Sequence, residues 1–202
     1  MTFYGDSAGQ DVQLLSGTMR RIVVPGVMSL MVVALLAVLA FGVAHNGPSN
    51  ALAARVSRGQ TPAAPNAAMK LRLMGSSRRE SLAQLRGKVV MVNVFAGWCV
   101  ACQQEVPIIK HAQQLLAQHG GEVVGVTYQD STGDAQSYMQ KYGLHFPVLL
   151  DPGDNFVAPY GVTGVPETFI IGRNGRVLAA RTYQLSSSWM DTTLNRVLGL
   201  QS

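Results

Sequence analysis

Residues Val89 to Pro107 read VVMVNVFAGWCVACQQEVP, a strand pattern that runs into a cysteine-bearing helix pattern. Val89–Phe95 is a continuous β-branched and apolar run, as expected of a strand buried on both faces of a sheet. The turn Ala96-Gly97-Trp98 leads to Cys99-Val100-Ala101-Cys102, where the helical pattern opens. Two cysteines three residues apart at a helix start bring their sulfurs to disulfide distance with little distortion. The unpaired N–H groups and the positive end of the helix dipole favour a thiolate on the first of them. Cys99 is therefore expected to be the exposed, attacking thiol, with Cys102 one turn deeper resolving the mixed disulfide. A structural disulfide and half of a zinc site share this spacing. Zinc needs two more nitrogen or sulfur ligands, and His45, His111, His119 and His145 show no ligand spacing, so no metal is expected. A three-residue bridge removes little entropy from the unfolded chain, which argues against a purely stabilising role.

Working outward, strands and helices alternate. Met69–Met74 reads as a strand before the turn Gly75-Ser76-Ser77. A helix is predicted from Cys99 to Gln118, kinked at Pro107 and ended by Gly120-Gly121. Glu122–Tyr128 is a second central strand, and Ser131-x-x-Asp134 caps a helix ending near Gly143. Phe146–Leu150 approaches another strand. Thr168–Ile171 and Val177–Arg181 flank Gly172-Arg173-Asn174-Gly175, whose Asn-Gly pair is a hairpin signal. Ser188-x-x-Asp191 is expected to cap a last helix that stops at Gly199. The pattern is that of an α/β fold, a mixed central sheet flanked by helices.

Toward the N-terminus, Ile22–Ala44 reads IVVPGVMSLMVVALLAVLAFGVA, 23 residues without a charge. As a helix it would span about 34 Å, enough for a ~30 Å hydrocarbon core. A cleaved secretory signal has a shorter apolar region, although Ala51-Leu52-Ala53 can pass as a cleavage site. A buried core helix of this length would show a polar face. Residues 22–44 are thus read as a retained transmembrane anchor following a short cytoplasmic tail over 1–21. Arg20 and Arg21 abut the span, whereas Arg55 and Arg58 lie more than ten residues beyond it, which places the N-terminus in the cytoplasm. Residues 45–67, rich in Ala, Pro, Asn, Gly and Ser without apolar periodicity, read as a flexible linker. Residues 68–202 are left as one compact domain on the extracytoplasmic side.

Composition excludes other classes. Of 202 residues 48% are hydrophobic and only 13% charged, which is incompatible with a charge-driven disordered chain. The net charge of +5 is scattered rather than gathered in a basic stripe, so no nucleic-acid partner is expected.

Val89–Pro107 resembles the active-site segment of thioredoxin-like proteins of the TlpA/ResA/CcmG (DsbE) group, membrane-tethered thiol–disulfide oxidoreductases. The resemblance continues through Tyr160-Gly161-Val162-Thr163-Gly164-Val165-Pro166-Glu167-Thr168-Phe169 and covers roughly residues 68–202. It implies a thioredoxin-like fold, a redox-active Cys99–Cys102 disulfide, and a cis peptide bond at Pro166 opposite the cysteines. Val165, Pro166 and Trp98 would line the substrate groove, Trp98 as its rim rather than as simple packing. Glu105 matches a glutamate that assists proton transfer at the cysteines, against the alternative of a solvated helix charge. Thioredoxins carry a buried aspartate where this chain has Asn93, which leaves Glu105 as the nearest carboxylate in sequence. Glu167 resembles the acidic residue that cytochrome-maturation members place beside the cis-proline; its alternative is a solvated strand-edge charge. Val100-Ala101 replaces the proline-containing dipeptide common in the group, and Phe95 and Gly97 replace commoner Trp and polar residues.

The resemblance implies a dithiol reductant in cytochrome c maturation, acting on oxidised apocytochrome c at the periplasmic side of the inner membrane. A broader-range reductase or oxidase of exported thiol proteins is the second reading, and a membrane-anchored binding module with an inert disulfide the third. A peroxiredoxin-type peroxidase is disfavoured, because Ala96-Gly97-Trp98 lacks the Thr/Ser-x-x-Cys context. No prosthetic group is implied, since the dithiol carries the electrons. Re-reduction outside the cytoplasm calls for a transmembrane thiol-electron conduit as partner.

Overall fold

The computed structural model describes residues 28–38 and 51–200. The chain divides into two units, Met1–Pro48 and Ser49–Ser202. In the first, residues 28–38 form a helix with exposed side chains. Among the described residues no helix is long and apolar enough to cross a membrane. The remainder of the expected 22–44 span, the 1–21 tail and residues 45–50 lie outside the described residues.

The second unit is built on a seven-stranded mixed sheet. Its strands are β1 (Leu71–Leu73), β2 (Arg79–Glu80), β3 (Val90–Phe95), β4 (Glu122–Thr127), β5 (Val148–Leu150), β6 (Glu167–Ile171) and β7 (Val177–Thr182). They lie in the order β2-β1-β5-β4-β3-β6-β7. The β3–β4 and β4–β5 pairs are parallel, and β6 runs antiparallel to both β3 and β7. The helices are α1 (Ala51–Ser57), α2 (Val100–Gln104), α3 (Val106–Gln118), α4 (Thr132–Tyr142) and α5 (Ser187–Leu198).

Strand alternation divides the interior into two cores. From β3, Met91 and Phe95 join one core with Ile109 and Leu116 of α3, Tyr138 and Met139 of α4, and Leu194 of α5. Val90, Val92 and Val94 join the other, with Phe156, Tyr160 and Phe169. Every residue of β3 is buried, as the sequence pattern predicts for a central strand. The Ser131 cap, which accepts from Asp134 N, and the left-handed Gly143 and Gly199 ends also match expectation.

Three readings are corrected, and one strand is new. Residues 51–67 are not a free linker. Leu52 and Ala64 are 5% and 8% exposed within the second core. Ala64 N–H donates to Gly175 O and Val177 N–H to Pro62 O, so this segment extends the β6–β7 edge through its backbone. The helix expected from Cys99 to Gln118 is two helices, broken at Glu105 (φ −81°, ψ −13°). Pro107 has no N–H to donate to Gln103 O, so the first helix cannot continue through it. The cap of α5 is Ser186, whose hydroxyl accepts from Trp189 N–H, rather than Ser188. β2 was not anticipated: two residues carry no readable alternation.

Candidate active site

The register Val94↔Glu167 brings the end of β3 and the start of β6 together at one end of the sheet. The segment leaving β3 carries Cys99, and the segment entering β6 carries Val165 and Pro166, joined by a cis peptide bond. Cys99 is the N-cap of α2, with extended backbone (φ −80°, ψ 107°), and its Sγ accepts from Cys102 N–H at 3.0 Å. A sulfur that accepts from a free amide in the first turn of a helix is where a thiolate is best stabilised. The two cysteines are joined in a disulfide with Cα atoms 5.3 Å apart, within the ordinary range. The expectation of an exposed Cys99 is corrected: the residue is 4% exposed and Cys102 is 1% exposed. In the oxidised pair the Cys99 sulfur is turned toward Cys102 and the helix start.

The rim is apolar. Trp98 is 56% exposed and Val100 66%. The Trp98 indole N–H donates to Gln129 O at 3.1 Å, and the backbone N–H of Gly97 to Asp130 Oδ2 at 2.7 Å. Gly97 is required sterically, because a Cβ there would lie 2.6 Å from Asp134 O. On the inner side, Tyr138 O–H donates to Cys102 O at 2.8 Å and Tyr142 O–H to Gln103 Oε1 at 2.9 Å, tying α2 to α4.

Glu105 is fully buried, which does not fit a solvated helix charge. Its Oε1 accepts from Leu185 N–H, and its Oε2 has no hydrogen-bond partner among the described residues. Burial raises its pKa to about 7, against smaller lowering effects of the Leu185 amide and of Asn93 nearby. The Asn93 amide itself donates to Thr168 Oγ1 at 3.1 Å. Glu167, at 5% exposure, is likewise not a solvated edge charge. Burial raises its pKa to about 7 despite a backbone hydrogen bond from Thr163, and its Oε2 also lacks a partner. Two carboxyl groups that titrate near neutrality therefore belong to the segments that hold the cysteines and the cis-proline. Val165 packs against the core that contains both cysteines.

Among the described residues no group of three His, Cys, Asp or Glu side chains is gathered as for a metal. Sequence reasoning missed Asp130, Tyr138 and the loop after β7. Each meets the cysteine segment from thirty or more residues away, and no local spacing announces such a contact.

The Redoxin family profile matches residues 61–198. The chain belongs to the Redoxin family. It is 30% identical over 122 residues to the thiol-disulfide oxidoreductase ResA of Bacillus subtilis (strain 168), covering 60% of this chain and 68% of that protein. It is 34% identical over 140 residues to the thiol:disulfide interchange protein HelX of Rhodobacter capsulatus, covering 68% and 74%. The ResA of Geobacillus thermodenitrificans is matched over 58% of its length. The structure of a thiol:disulfide interchange protein of the thioredoxin family from Chlorobium tepidum TLS superposes with a TM-score of 0.60 at 28% identity, covering 69% of this chain and 98% of that one. The redoxin domain thus has the thioredoxin-like fold, and with its Cys99–Cys102 pair the chain is a thiol–disulfide oxidoreductase.

Proposed function

We propose that this redoxin is an extracytoplasmic dithiol reductant whose substrate is the oxidised cysteine pair of apocytochrome c before haem attachment. The observation that supports it above others is the pairing of a disulfide at a helix N-cap with two buried carboxyl groups, Glu105 and Glu167, that titrate near neutrality. In the reduced enzyme the Cys99 thiolate attacks one substrate sulfur, forms a mixed disulfide and expels the other sulfur as a thiolate. Cys102 then loses its proton and attacks Cys99 Sγ. The substrate leaves as a dithiol and the enzyme closes the Cys99–Cys102 disulfide, so two electrons have passed to the substrate. Glu105 takes the Cys102 proton, a role suited to a carboxyl whose pKa is near the working pH. Trp98, Val165 and Pro166 form the groove, and Glu167 shapes its field. A transmembrane thiol-electron conduit re-reduces the pair. Residues 22–44 anchor the chain in the cytoplasmic membrane, with the redoxin domain on the periplasmic side.

The test is stoichiometric reduction of an oxidised apocytochrome c peptide by the pre-reduced chain, with Cys99→Ser as the inactive control. A deletion strain should lose c-type cytochromes. Reduction of insulin and apocytochrome c at equal rates favours a broad-range enzyme, and reduction of neither favours an inert disulfide. Carbonate extraction should leave the full-length protein in the membrane pellet.

A further inference from the structure

Beside the cis-proline lies a depression of about 170 Å³ lined by Thr163, Gly164, Val165, Pro166, Glu167 and Tyr183. Its volume is well below that of pockets for drug-sized ligands, roughly 300–1,000 Å³, and suits one side chain. Two features of its lining are unusual. Glu167 is 5% exposed, yet its Oε2 has no hydrogen-bond partner among the described residues. A buried carboxyl oxygen without a donor is costly, and an N–H donor supplied from outside would remove the cost. Tyr183 is 79% exposed, the largest exposure among the bulky hydrophobics of the redoxin domain. It also sits at φ +69°, a left-handed conformation that disfavours a non-glycine residue.

The strain is held in place by neighbours. Gln184 Nε2 donates to Gln104 Oε1 at 2.8 Å, and Leu185 N–H donates to Glu105, so the residues after Tyr183 are fastened to the cysteine-bearing helix and its end. The register Glu167↔Thr182 sets Tyr183 one residue beyond the partner of Glu167. An exposed aromatic ring is thereby kept at a depression whose lining includes Glu167, the residue with the unpartnered, buried carboxyl oxygen. A carboxyl group beside an aromatic face is the chemistry that receives a lysine or arginine side chain, through a charge-assisted hydrogen bond and cation–π contact.

We propose, on the basis of the reductant reading above, that this depression is a substrate subsite for one cationic side chain near the target disulfide. Glu167 Oε2 accepts its N–H, and the Tyr183 ring lies along its stem. Tyr183 is then a specificity-determining residue for the exchange reaction.

The experiment uses the pre-reduced full chain in single-turnover reduction of three peptides. Each carries the same intramolecular disulfide, with lysine, norleucine or glutamate at one flanking position. Hydroxyethyl disulfide is run in parallel. The wild type should reduce the lysine peptide about five- to tenfold faster than the norleucine peptide in second-order rate constant, and the glutamate peptide slowest. The readout is the lysine-to-norleucine ratio within each variant, which cancels general effects on the cysteines. Tyr183→Gly, which relieves the left-handed strain, should bring the ratio close to one without lowering the thermal midpoint. Glu167→Gln should do the same to the ratio, and Tyr183→Phe should restore most of it. Binding of cysteine-free lysine and norleucine peptides to the oxidised chain, by calorimetry, reads the subsite independently of turnover. Equal binding of the two, or a lysine preference that survives Tyr183→Gly, overturns the subsite. Failure to reduce any peptide or hydroxyethyl disulfide overturns the reductant reading instead, and calorimetry still decides the subsite.

Discussion

The backbone N–H of Leu185 donates to Glu105 Oε1, so a loop near the C-terminus is bonded to the carboxyl group at the break between α2 and α3. Glu105 is fully buried by this arrangement, and its pKa is raised from 4.5 to about 7. The folded state then binds a proton more tightly than the unfolded one. Stability is greatest below the unfolded pKa and falls as pH rises from 4.5 toward 7. Glu167 contributes with the same sign. Glu105→Gln, which keeps an acceptor for Leu185, should remove about 3 kcal/mol of that loss above pH 7. Denaturant unfolding of the oxidised protein at pH 5 and pH 8 measures it; an equal pH response in wild type and variant contradicts the assignment.

The same substitution should slow the resolving step of disulfide exchange. Without a carboxylate, Cys102 has to give its proton to water, and the inflection near pH 7 in the single-turnover rate should disappear. Stopped-flow rates from pH 5 to pH 9 test this. An unchanged profile in Glu105→Gln, Glu167→Gln and the double variant returns both residues to structural roles.

Cys102→Ala should accumulate a mixed disulfide with substrate through Cys99, visible by non-reducing electrophoresis and mass spectrometry. Cys99→Ala should accumulate little. The Cys102 amide that bonds the Cys99 sulfur at the helix N-terminus favours its thiolate, and the opposite trapping pattern reverses the two roles.

Gly97→Ala would place a methyl group 2.6 Å from Asp134 O, a backbone atom that cannot step aside cheaply. The expected cost is about 1–3 kcal/mol in urea unfolding. A neutral result would mean that the turn before the cysteines is more pliable than its contacts with Asp130 and Asp134 indicate.

Leu52→Ala should destabilise the redoxin domain by about 2 kcal/mol or more, as for a buried leucine in a packed core. A change within a few tenths would restore residues 51–67 to the status of a tether.

The central strand, the cysteine pair at a helix start and the Asn-Gly hairpin were legible because each depends on residues close together in sequence. Val90–Phe95 could be recognised from its own composition, and Ser131 as a cap from the residue three positions on. The burial of Glu105 was not legible, since it depends on Leu185, eighty positions later. The attachment of residues 62–64 to the β6–β7 edge was hidden for a different reason. It runs through backbone hydrogen bonds of Pro62 and Ala64, which leave no side-chain signature. Cys99 was expected to be exposed because it opens the helix, with Cys102 one turn deeper; in the disulfide-bonded structure both are buried, at 4% and 1% exposure.

The interruption at Glu105 has a mechanical consequence. In an unbroken helix, Cys102 O would be committed to the amide four residues on, and any displacement at the sulfurs would pass along the α3 axis. Here that carbonyl is shared between Glu105 N–H and the Tyr138 hydroxyl, while Tyr142 holds Gln103. The five-residue α2 is therefore braced sideways on two tyrosines of α4. The sulfur bridge is thus tied through α2 to α4 by the two tyrosine hydroxyls, as well as to the start of α3 at Glu105.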